Sequence, residues 1–202
     1  MSDHSEFIRY RIEFSQPIEL EDFVQAFSSI GSEYERFIAG SHPDFRGDAK
    51  VFLRKIEEGS IVAELVAYST TLLSSMGVST ASEFAKHLGG SLSNAIIGNL
   101  SGEKDSLPKK HLSDLRGMLE VVAKDPNGEG SLSVYRKIED GSYSSEEILR
   151  YDTRDANKGV SNLDEAVRQL GNPSREKAEQ VLMVFHQVNR NIGPLDKRSG
   201  DK

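Results

Sequence analysis

The sequence predicts an α+β fold: a mixed or mainly antiparallel sheet built from two β-hairpins plus N- and C-terminal strands, packed with about four helices. Three observations carry that expectation. The chain opens on period-two alternation of apolar residues, two glycine-marked reversals join short strand-like runs, and apolar stripes of helical spacing lie between them.

Ile8, Tyr10, Ile12 and Phe14 alternate with Arg9, Arg11 and Glu13, the pattern of a half-buried strand. Pro17 ends it. Phe23, Phe27, Ile30, Tyr34 and Phe37 then recur every three or four residues, with Val24 and Ile38 widening the stripe, which predicts a helix from about Glu19 to near Gly40. Val51-Phe52-Leu53 and Ile61-Val62-Ala63 flank Glu57-Glu58-Gly59-Ser60, where Gly59 supplies the positive φ of a tight reversal.

Residues 68 to 123 read as helical. Thr80-Ala81-Ser82-Glu83 fits a capping box, with Val78 and Phe84 as its hydrophobic staple, and Gly89-Gly90 weakens the helix midway. A second helix opens with Pro108 in its first turn and carries Leu112, Leu115, Leu119 and Val122 on one face. Asp125-Pro126-Asn127-Gly128 is a turn. A second strand pair follows, Leu132–Ile138 and Tyr143–Tyr151, joined at Asp140-Gly141. Thr153 to Leu170 then reads as a helix; the apolar run Val181–Val188 reads as a buried strand from its length and β-branching, although Ala178, Val181, Leu182 and Phe185 also satisfy a helix. The organisation expected is a strand–helix–hairpin–helix unit over 1–100 and a helix–hairpin–helix–strand unit over 101–202, packed as one body, with a polar tail over 189–202.

Composition excludes several functions. The 202 residues contain no cysteine, which removes disulfides, thiolate metal sites and a cysteine nucleophile. Lys plus Arg is 25 against 32 Asp plus Glu, a formal charge of −7, so no nucleic-acid partner is expected. The polar start Met1–Glu6 lacks the features of a secretory signal, and the Ile61–Val78 stretch carries Glu64 and several hydroxyls, so neither export nor a membrane span is expected. A cytoplasmic location is the expectation that remains.

Motifs for chemistry are sparse. Gly98-Asn99-Leu100-Ser101-Gly102-Glu103-Lys104 is one residue short of a phosphate-binding loop, and Asp105 stands where a hydroxyl should hold magnesium. His42, Asp44 and Asp48 share one loop and are weak metal-ligand candidates. Pro43 and local amide bonding make an ordinary turn the better account, so no metal and no cofactor is expected. His87 and His111 read as surface or boundary residues. Glu57-Glu58, Glu139-Asp140 and Glu146-Glu147 read as solubilising charge, because turns and polar strands do not raise a carboxyl pKa. Arg9, Tyr10 and Arg11 beside Arg54-Lys55 would form a basic-aromatic patch if those strands paired, although charge on edge strands explains it as well. Finally, Arg54-Lys55-Ile56-Glu57-Glu58-Gly59-Ser60 recurs as Arg136-Lys137-Ile138-Glu139-Asp140-Gly141-Ser142. This echo raises the idea of a duplicated unit whose two turns make one composite surface, but the likeness ends outside the seven residues and hairpin turns draw on few residue types, so convergence is the better account.

Structural signals without a reactive constellation argue for a non-catalytic interaction or assembly module that binds a protein partner or a second copy of itself. The rival readings are an enzyme with a site assembled from scattered Asp, Glu, His and Ser residues, and a domain that senses a small ligand.

Overall fold

Alternation in the first segment becomes the central strand of the sheet. In the computed structural model, which describes residues 6–41, 49–56, 61–69, 80–100 and 108–171, strand β1 (Glu6–Glu13) buries Ile8, Tyr10 and Ile12 on one side. Strands β2 (Ala49–Ile56) and β3 (Ile61–Ser69) pair antiparallel on one flank, and β4 (Glu129–Lys137) and β5 (Tyr143–Asp152) on the other. The sheet order is β2-β3-β1-β4-β5, antiparallel throughout. The described residues all fall in a unit ending at Asn172, so the expected C-terminal strand Val181–Val188 and the tail lie outside them.

Helix α1 (Leu20–Ser41) keeps close to the predicted bounds, but its buried face is rotated from the one expected. Ala26, Ser29, Ile30, Glu33, Tyr34 and Ile38 are buried, whereas Val24 is 51% exposed. The rotation follows from the neighbours: α1 packs on α3 (Lys109–Ala123) as well as against the sheet, so polar positions between the aromatic ones are drawn inside. Pro108 sits one place earlier than expected, at the cap of α3, where its carbonyl accepts the amide of His111 (2.9 Å).

Helix α2 (Thr80–Ile97) appears where the capping box announced it. The amide of Ser82 donates to the Glu6 carboxylate on β1 (3.3 Å), so a distant strand supplies a cap at this helix start. Gly89 has a positive reason to be in α2. A Cβ there would sit 2.6 Å from Cγ2 of Ile148, so the glycine lets the helix lie against β5. Helix α4 (Thr153–Gly171) completes the described helices, burying Ala156, Leu163 and Ala166. Among the described residues, no helix is long and apolar enough to cross a membrane.

The second reversal is a turn closed by the Gly141 amide on the Ile138 carbonyl (2.9 Å), with Gly141 at φ +84°. Gly59 lies outside the described residues. The turn of the echo's first copy, Glu57–Ser60, lies outside the described residues, and with it the expected composite surface. Ile56 pairs with Ala63, which pairs with Tyr10, while Arg136 pairs with Glu6. The described parts of the two copies therefore lie on different strands, Arg54–Ile56 on the edge strand β2 and Arg136–Lys137 on the inner strand β4.

Candidate functional site

A buried cluster of chemistry-bearing groups lies between α1 and α3. One turn of α1 presents Glu33 and Arg36, and one turn of α3 presents His111 and Asp114, because residues three apart share a helix face. Nδ1 of His111 lies 2.8 and 2.9 Å from the two Glu33 oxygens. An ionised carboxylate only accepts, so the Glu33 contacts call for a proton on Nδ1, while Arg36 Nη1, which can only donate, stands 3.2 Å from the same nitrogen. Arg36 bridges the two acids, pairing Nη1 with Glu33 and donating Nη2 to Asp114 at 2.9 Å. Burial opposes the guanidinium charge, but its bonds to Asp114 and Glu33 outweigh burial and raise its pKa. Glu33 is 1% exposed. The arrangement orients the imidazole with no described group bonded to Nε2, and it fastens α1 to α3.

Two further polar clusters are joints. The Tyr10 and Tyr151 hydroxyls are 2.6 Å apart, and Tyr10 donates to the Met118 carbonyl (3.2 Å), so Tyr151 donates to Tyr10. Burial pushes the Tyr10 phenol up to about 12, against the Tyr151 bond that lowers it, and burial carries Tyr151 well above the usual phenol range. Asp125, within the Asp-Pro-Asn-Gly turn, accepts the Ser15 hydroxyl (2.7 Å) and the amides of Ser15 (2.8 Å), Gln16 (2.9 Å) and Asn127 (2.8 Å). Burial pushes its carboxyl up, but these donors outweigh burial and hold its pKa below the usual range. Asp125 thereby ties the end of β1 to the start of β4.

The β4–β5 hairpin is built differently. Phe7 stacks flat on Tyr135 (centroids 5.0 Å, 5° between planes), and Tyr143 meets Phe7 edge-on at 5.3 Å. The Arg9 guanidinium lies 4.3 Å from the Tyr135 ring centre and donates Nη1 to its hydroxyl (3.0 Å). These residues stand on the side of β1 opposite Ile8, Tyr10 and Ile12, and their pairing follows the register Phe7↔Tyr135 and Lys137↔Tyr143. At the tip, Ile138 is 45% and Tyr143 36% exposed.

The candidates named from the sequence fare unevenly. His42, Asp44 and Asp48 lie outside the described residues, as do Glu57-Glu58 and most of the Gly98–Lys104 loop. Gly98 itself closes α2 at φ +78°. His87 is exposed on α2 with its ring 5.3 Å from Phe37. His111 is not a surface or boundary residue but a buried partner of Glu33. The patch of Arg9, Tyr10 and Arg11 with Arg54-Lys55 does not form. Strand β1 pairs with β3 and β4 rather than β2, and Tyr10 points into the core. Glu33 and Asp114, passed over in the sequence, carried a faint signal: each is an acid set at helical spacing among apolar stripe positions.

Comparison with known proteins gave no significant match to a protein-family model, a curated protein or a solved structure.

Proposed function

We propose that the chain is a non-catalytic protein–protein interaction or assembly module, with the β4–β5 hairpin as its contact surface. The observation that carries this reading is the exposure of Ile138 and Tyr143 beside the Phe7–Tyr135 stack. A rigid aromatic base holding an exposed aromatic and an aliphatic side chain offers apolar contact at small entropic cost. Beyond it, β5 pairs only with β4 among the described residues, so its outer edge offers amides and carbonyls to an added strand. A register shift at Leu132/Ser133 and the charges of Glu146, Glu147 and Arg150 restrict indiscriminate pairing at that edge. The −7 charge favours a protein over a nucleic acid as partner.

Site-specific photo-crosslinking in the native host tests the reading, with the probe at Tyr143 and a control probe at exposed Asn157 on α4. One defined protein adduct at position 143 and none at 157 supports it; equal labelling, or none, overturns it. Light scattering across a tenfold concentration range then assigns an adduct of the chain with itself to stable self-assembly.

One observation favours a second reading, an enzyme or small-ligand sensor: the imidazole of His111, held at Nδ1 by Glu33, with no group among the described residues bonded to Nε2. The side-chain NMR signal of His111, followed during screening of metabolite mixtures, separates the two. A saturable shift supports the second reading, and an unmoved signal removes it.

A further inference from the structure

We draw no further inference here: the strongest candidate, the exposed apolar pair Leu20 and Val24 on the first turns of α1, is an unpartnered helix face, and nothing in the structure shows what covers it.

Discussion

At the α1–α3 seam, Glu33 and Asp114 are buried and share the Arg36 guanidinium. On β5, Glu146 lies 3.8 Å from Lys86 and 3.6 Å from Arg136, Glu147 is 2.8 Å from Arg150, and all of these side chains are substantially exposed. The residue types are the same, yet the energetic stakes differ. Removing one member of a buried pair strands a charge in low dielectric, at about 3–5 kcal/mol, whereas an exposed pair contributes about 0–1 kcal/mol. The seam is therefore fixed by its own chemistry, whereas the exposed pairs on β5 contribute little to holding the fold.

The sharpest way to break that contrast is Arg36→Met. It keeps much of the aliphatic stem and leaves two buried carboxylates without their shared cation. A loss of about 3–5 kcal/mol in urea unfolding is expected, against little change for Arg150→Met at its solvent-exposed site. Equal losses would show that the seam is open to water and that the distinction fails.

Asp125→Asn ranks next. The amide keeps an acceptor but removes the charge that draws four donors, so a loss of about 2 kcal/mol near neutral pH is expected. The direction of its pKa sets the pH dependence. The folded carboxyl titrates below its ordinary value of 3.8, so its contribution is present above that value and disappears as pH falls through the lower folded one. Wild type and variant should therefore converge in acid. Unfolding curves that stay apart at the lowest pH at which the chain folds would contradict the charge-based account.

These two sites also show how much was legible beforehand. The Asp-Pro-Asn-Gly turn was readable because turn chemistry is local, and the first strand, the hairpin at Gly141 and four helices were readable because periodicity is local too. The role of Asp125 was not, since Ser15 and Gln16 lie over a hundred residues away in sequence. The seam was hidden for the same reason. His111 looked like a boundary residue because a histidine beside a helix start is ordinary, and only the packing of α1 on α3 places Glu33 against it. The close approach of Gly89 to Ile148 on β5 has no local signal in the sequence, and Gly90 has no neighbour that requires a glycine. Sheet order was equally unreadable: the two copies of the charged echo suggest symmetry, and only the β1 register places them apart.

Tyr10→Phe sharpens the contrast inside the core. Losing one hydroxyl from the Tyr151–Tyr10–Met118 chain should cost about 1 kcal/mol near neutral pH. A phenol raised to about 12 in the folded state stabilises fully below its ordinary value of 10.0, and the contribution disappears as pH rises towards 12. The wild type should lose stability over that interval and the variant should lose less. Parallel curves would mean the hydroxyl pair is not sealed from solvent.

The smallest effect on stability belongs to the hairpin tip, where it is also the most informative. Ile138→Ser and Tyr143→Ser remove exposed side chains from the end of a reversal whose backbone is set by Gly141 and by Asp140, which accepts the Ser142 amide at 2.8 Å. Each should change unfolding free energy by less than about 0.5 kcal/mol, the usual range for surface positions. If this surface binds a partner, a crosslinking probe placed at neighbouring Ser145, exposed on β5, should lose its adduct in the double variant while the unfolding midpoint stays put. Retention of the adduct with unchanged stability would clear the tip of any part in binding. A large loss of stability would show instead that Tyr143 serves chiefly to hold Phe7 in place, and the hairpin would then belong with the seam as structure.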